Sequence, residues 1–107
     1  MLNQILKRFL SYIAVDSQSN PDSISFPSTD NQKVFAMQLV DELKSIGVSN
    51  AYMDEWGYVM ASIPANTDKQ IPAIGFFAHM DTAPDADGVC VHPQIIENYQ
   101  GNDIILN

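Results

Sequence analysis

The sequence has only one cysteine, Cys90, among its 107 residues. It cannot form an intramolecular disulfide, and a reducing compartment is therefore the expected setting. Basic residues are also scarce, since five Lys and Arg stand against 13 Asp and Glu and give a net charge of -8. A chain this acidic repels nucleic-acid phosphates and anionic lipid headgroups. We therefore expect neither a nucleic acid nor a membrane as a partner.

Long hydrophobic runs and several common ligand-binding motifs are also absent from the sequence. No apolar stretch approaches the roughly 18 residues that a membrane span needs. The sequence has no glycine-rich phosphate-binding loop and no Cys-x-x-Cys pair. Lys7 and Arg8 precede a short apolar stretch, but no small-residue cleavage site follows, which disfavours a signal peptide. With 46% hydrophobic and 17% charged residues, the composition is that of one globular domain.

The first half of the chain predicts two helices. Apolar residues spaced three and four positions apart over residues 2–14 indicate an amphipathic helix. The polar, proline-containing stretch 16–27 predicts a loop. A second helix is expected to begin after Thr29, which with Gln32 matches the capping-box pattern, and to stop at Gly47. The expected buried face of this helix consists of Ala36, Leu39, Val40, Leu43 and Ile46.

The second half of the chain predicts strands. Residues 48–54 and 58–63 are expected to form a hairpin. The continuous apolar run 71–78 is typical of a strand covered on both faces of a sheet. Residues 94–98 predict a short strand, and another apolar run begins at 104–106. The order of these elements predicts an α/β fold, with two N-terminal helices followed by strands of a mixed sheet.

His79 and Asp81 carry the clearest chemical signal. They follow the predicted buried strand at its carboxyl end, where open α/β sheets bind ligands. In an extended chain, residues two apart point to the same face. Three interpretations stay open. His79 is a metal ligand, with Asp81 accepting a hydrogen bond from its second ring nitrogen, or the two residues are part of an acid/base pair. In the third, His79 makes only a local hydrogen bond and Asp81 caps a turn with Thr82. The weaker candidates are Asp85, Asp87, Cys90 and His92.

Several segments, taken in order, resemble one enzyme family. They are residues 9–12, 16–19, 27–32, 60–66, 71–82 and 93–104. Together these segments resemble the N-terminal portion of enzymes of the peptidase T family, which are tripeptide aminopeptidases. This family belongs to the zinc-dependent exopeptidases, which also include carboxypeptidase G-type enzymes. The resemblance covers essentially the whole chain. The segment 93–104 points most to peptidase T rather than to its broader relatives.

This resemblance implies a function, a cofactor and two site residues. The parent would be a cytoplasmic hydrolase that removes the N-terminal residue from tripeptides with two zinc ions per active site. His79 would bind zinc, and Asp81 would lie behind it and orient the imidazole. Residues 1–107 would be the N-terminal segment of the catalytic domain, truncated, and thus an incomplete part of the zinc-exopeptidase fold.

The remaining residues of the family's active site have no counterpart in this sequence. The resemblance places a bridging aspartate, a pair of glutamates, a further carboxylate and a distant histidine beyond this segment. We therefore expect the chain alone to be inactive, because one ligand cannot hold two zinc ions. It is also expected to self-associate through an exposed sheet edge. Two alternatives stay open: a stand-alone, non-catalytic binding or interaction module, and a small acid/base enzyme built on His79 and Asp81.

Overall fold

The described part of the chain, residues 2–105 of a computed structural model, contains two helices and one small hairpin. Helix α1 spans Leu2–Ile13 and helix α2 spans Asp30–Ser45. Strand β1 (Tyr52–Met53) pairs antiparallel with strand β2 (Val59–Met60). The predicted fold class, an incomplete α/β arrangement with two N-terminal helices followed by strands, is confirmed. Neither helix is long and apolar enough to cross a bilayer, within the residues described.

Helix α2 begins and ends close to the predicted positions. Thr29 is its N-cap residue, and Asp30 places a negative charge in the first turn, where the helix dipole favours it. At the other end, Gly47 adopts a φ of 100°, which glycine reaches at no steric cost. Its N–H donates to the carbonyl of Lys44 at 3.0 Å, and the Val48 N–H donates to the carbonyl of Leu43 at 2.9 Å. These bonds close the helix.

The predicted capping box at Thr29 is wrong in its side-chain contacts. The Thr29 hydroxyl makes no cap bond to the helix and instead donates to the carbonyl of Gln18 at 2.9 Å. The Gln32 amide donates to the hydroxyls of Ser28 at 3.0 Å and Thr29 at 3.1 Å, not to a backbone group. The hydroxyl is diverted because the preceding loop passes within its reach. The start of α2 is therefore bonded to that loop.

The hairpin forms where predicted but with shorter strands. Tyr52 lies opposite Met60 in the register. The Asp54 carboxylate accepts from the N–H groups of Trp56 at 2.9 Å and Tyr58 at 2.8 Å. Gly57 supplies a φ of 91° at the turn. The turn chemistry is thus the part of the hairpin that the local sequence determines most directly.

The core lies between α2 and the hairpin. Its buried apolar side chains are Phe35, Ala36, Val40 and Ala51. The expected buried face of α2 is confirmed at Ala36 and Val40, whereas the side chains of Leu39 and Leu43 are only half-buried. Ile46 was expected in the core but is 57% exposed, because it is the C-cap residue and lies past the last turn that packs on the hairpin.

Glu42 of α2 connects the two helices. Its carboxylate accepts hydrogen bonds from the Arg8 guanidinium and the Tyr12 hydroxyl. The Tyr12 ring also packs edge-to-face on Phe35, with centroids 5.4 Å apart. The hydrogen bond from Tyr12, with the bond and charge of Arg8, lowers the pKa of Glu42. Burial, together with the bond to Glu42, raises the pKa of Tyr12 to about 12.

The predicted central strand 71–78 and the short strand 94–98 are wrong. Neither has regular secondary structure, and Phe76 and Phe77 are 94% and 97% exposed. A strand buried on both faces needs neighbouring strands and covering layers, and nothing in residues 2–105 supplies them. The radius of gyration, 17.4 Å, exceeds the roughly 13 Å of a compact domain this long. The apolar run 104–106 ends outside the described residues.

We expect the stability of the chain to depend on pH through Glu42 and Tyr12. The lowered pKa of Glu42 stabilises the folded chain above about pH 4.3, and this is lost as the pH falls through the lowered value. The raised pKa of Tyr12 stabilises it below about pH 10. That contribution is lost as the pH rises towards about 12. Urea unfolding at a series of pH values, followed by circular dichroism at 222 nm, measures the acid limb and the alkaline limb of this dependence.

Two variants separate these limbs. Glu42→Gln is expected to flatten the acid limb. Tyr12→Phe keeps the ring against Phe35, flattens the alkaline limb and lowers the free energy of unfolding by about 1 kcal/mol. Glu97→Gln, at an exposed position, is the control for removing one carboxylate. An acid limb unchanged by Glu42→Gln would contradict the assignment.

Candidate functional site

His79 and Asp81 lie within hydrogen-bond distance of each other. Nδ1 of His79 is 3.1 Å from Oδ1 of Asp81. The side chain of His79 is 85% exposed and that of Asp81 38% exposed. The spacing of two residues therefore brings both side chains to one side of the chain, as expected. The role of each in a reaction stays a prediction.

This contact orients the imidazole chemically. An ionised carboxylate only accepts hydrogen bonds, so Nδ1 of His79 carries the hydrogen when it bonds to Asp81. Nε2 is then the acceptor nitrogen of the neutral ring. Since the His79 side chain is largely exposed, Nε2 can reach a ligand or a proton supplied from outside the described segment.

The described residues do not form a complete zinc site. Between residues 2 and 105, no group of three or more His, Cys, Asp or Glu side chains comes close enough to hold a metal ion. Tetrahedral zinc needs three or four protein ligands. His79 can supply one, and within the described residues it belongs to no such group with Asp85, Asp87, Cys90 or His92. The role of His79 as a zinc ligand stays a prediction.

Thr82, the residue after Asp81, is bonded to the loop between the helices. Its N–H donates to the carbonyl of Ser17 at 3.2 Å, and its carbonyl accepts from the N–H of Ser19 at 3.0 Å. The two segments form a parallel bridge between Gln18 and Thr82. The backbone that carries Asp81 is therefore held against the helical half of the chain.

Gln18 adds two side-chain bonds to this bridge. Its amide Nε2 donates to the carbonyls of Ala83 at 3.1 Å and Ala86 at 2.7 Å. The hydroxyl of Ser19 donates to the carbonyl of Thr82 at 3.2 Å. Residues 82–86 are therefore the part of the second half that the loop holds most closely.

Sequence reasoning missed Gln18 and Ser17 as residues that hold the site. Ser17 is 3% exposed, although its polar, turn-rich surroundings predicted a simple loop. The bonding partners of Gln18 lie 65 and 68 residues further along the chain, and no local pattern reveals a partner at that distance. The one local signal is a run of polar side chains directly after an amphipathic helix.

Comparison with known proteins gives a consistent result. No family model matches the chain. It is 58% identical over 107 residues to Peptidase T of Geobacillus sp. (strain WCH70) and 57% identical over 107 residues to that of Brevibacillus brevis, covering 100% of this chain each time. Against Peptidase T of Halothermothrix orenii it is 53% identical over 104 residues, 97% of the chain. The predicted resemblance to peptidase T is confirmed.

The similarity extends over only part of each relative. The matched region is 26% of the length of each of these three Peptidase T proteins. The chain therefore spans about a quarter of the length of the curated relatives that it matches.

We expect His79 to occupy the tautomer with hydrogen on Nδ1, because Asp81 accepts from that atom. Two-bond ¹H–¹⁵N correlation spectra at about pH 8.5, where ordinary imidazoles are neutral, report the tautomer of each ring. Asp81→Ala should convert His79 to the tautomer mixture of His92, an exposed histidine of the same chain. If His79 and His92 already show the same mixture before substitution, the bond to Asp81 does not orient the ring.

Proposed function

We propose that this chain is the N-terminal segment of the catalytic domain of a peptidase T-like zinc metallopeptidase. In complete form, the enzyme would remove the N-terminal residue from tripeptides. The observation that carries this proposal is the identity of more than half of the residues, over 104 to 107 positions, with proteins named Peptidase T. The His79–Asp81 contact supports it independently.

Each residue of the pair has one role in this proposal. His79 contributes one ligand through Nε2, and Asp81 holds Nδ1 so that the ring stays in one orientation. The proposal includes two zinc ions per active site. In this proposal their other ligands come from parts of the enzyme outside this chain.

The substrate class and setting follow from the same proposal. Short peptides would be the substrates, and the cytoplasm would be the compartment, which suits a chain with one cysteine. A net charge of -8 disfavours nucleic-acid and membrane partners. The chain alone would not hydrolyse peptides, because it supplies one side of the site only.

A chimera tests the function. In it, this chain replaces the matching 26% of Peptidase T from Geobacillus sp. (strain WCH70). We expect the chimera to hydrolyse tripeptides and the isolated chain to show no hydrolysis. His79→Ala should reduce activity to background, and Asp81→Ala should lower metal affinity or activity by about 10- to 100-fold. Initial rates with a free-amine tripeptide, with zinc content by elemental analysis, measure both effects.

His92→Ala is the matched control for this test. His92 is an exposed histidine in the same half of the chain, and its replacement should leave the activity of the chimera unchanged. Full activity in the His79→Ala chimera would overturn the proposal, as would hydrolysis and stoichiometric zinc in the isolated chain.

We also expect the isolated chain to self-associate through residues 71–78. Ile74, Phe76 and Phe77 are 81%, 94% and 97% exposed, and such surface drives association at micromolar to millimolar concentrations. Light scattering at about 0.1 mM should show dimers or larger species, and more of them in high salt, which screens the negative charge.

A double variant locates this association. Phe76→Ser with Phe77→Ser should shift the chain to monomer. Ile24→Ser is the control, because it removes an apolar side chain that is 97% exposed but lies outside residues 71–78. A monomeric chain before substitution would exclude association.

A further inference from the structure

The loop after α1 is bonded on both sides. On one side, the carbonyl of Gln18 accepts from the Thr29 hydroxyl at 2.9 Å, and Asn31 donates to the Asp16 carboxylate at 3.3 Å. On the other side, the side chain of Gln18 donates to Ala83 and Ala86. Gln18 therefore connects the start of α2 with the backbone that follows Asp81.

The start of α2 gives up its own cap for this connection. A threonine at the N-cap position ordinarily accepts a bond from the first turn of the helix. Here Thr29 points its hydroxyl at Gln18 instead. Gln32, which is 7% exposed, donates to the same hydroxyl at 3.1 Å and holds it in place. The helix loses a stabilising contact, and the loop gains a buried support.

The structure holds the backbone of the His79–Asp81 pair on its C-terminal side. Within residues 2–105, the segment 71–78 that precedes the pair is exposed throughout and belongs to no strand. Directly after the pair, the backbone of Thr82 is bonded through both its N–H and its carbonyl. Gln18 then holds the next turn at two carbonyls.

We propose that Gln18 is a positioning residue for the His79–Asp81 pair. Its side-chain amide holds residues 82–86, and through them it fixes the direction in which Asp81 presents its carboxylate to Nδ1 of His79. The hydrogen-bond path runs from Gln32 through Thr29 to Gln18 and then to Ala83 and Ala86. The meaning of this positioning for peptide hydrolysis rests on the proposed function, whereas its effect on the imidazole does not.

Gln18→Glu in the chain tests the inference directly. The carboxylate keeps the shape of the side chain but removes both donated hydrogens and faces two carbonyl oxygens. We expect the Thr82 amide to exchange hydrogen about tenfold faster, since the bonds that hold its segment are lost. His79 should change from a single tautomer to the mixture of His92 in ¹H–¹⁵N spectra.

Two controls separate positioning from a general loss of stability. Gln94→Glu makes the same chemical change at an exposed glutamine and should alter neither readout. The amide of Val40, in the core of α2, should exchange at its original rate in Gln18→Glu. Equal acceleration at Val40 and Thr82 would mean that Gln18 only stabilises the fold, and the inference would be wrong.

Thr29 provides a second test if Gln18→Glu fails to fold. Thr29→Val removes the hydroxyl that donates to Gln18 and should reproduce the changes at Thr82 and His79. Thr29→Ser keeps a hydroxyl and should restore the original spectra. Identical spectra for Thr29→Val and the original chain would overturn the path from α2 to the pair.

The chimera distinguishes failure of this inference from failure of the proposed function. Gln18→Glu in the chimera should lower kcat about tenfold with little change in KM, because substrate contacts are untouched. Full activity after His79→Ala would reject the proposed function and leave the imidazole measurements standing. Loss of activity after His79→Ala, with an unchanged kcat and an unchanged tautomer in Gln18→Glu, would reject the positioning role alone.

Discussion

The bridge between the loop after α1 and Thr82 is the constraint on which the candidate site depends. It joins segments 63 to 68 residues apart through two backbone and three side-chain hydrogen bonds. A hydrogen bond contributes about 1 kcal/mol to stability, so each bond at this bridge affects how well the backbone next to Asp81 is held.

Residues 30–60 and residues 71–78 differ because only the first of these segments has surfaces that cover each other. Helix α2 packs on the hairpin and buries Phe35, Ala36, Val40 and Ala51. Residues 71–78 have the composition of a buried strand but no second surface within residues 2–105. Apolar burial stabilises in proportion to the area removed from water, and an uncovered strand removes none. The chain spans about a quarter of the length of its curated relatives.

Elements specified by near neighbours were predictable. Helix α1, the limits of α2 and the turn of the hairpin follow from apolar spacing, from glycine at positive φ and from the Asp54 carboxylate. The His79–Asp81 contact was predictable for the same reason, because residues two apart in an extended chain point to the same face. The contacts of the Thr29 hydroxyl and the irregular, exposed backbone of residues 71–78 were not predictable, since both depend on which distant segment lies alongside.

The sequence by itself determined the helices, the hairpin turn, the likeness to peptidase T and the pairing of His79 with Asp81. Each of these depends on residues within a few positions, or on the order of segments along the chain. Only the tertiary structure decided that Gln18 reaches Ala83 and Ala86, and that residues 71–78 remain uncovered. Hydrogen bonding and burial between distant segments depend on where the chain returns in space, and no local pattern records that path.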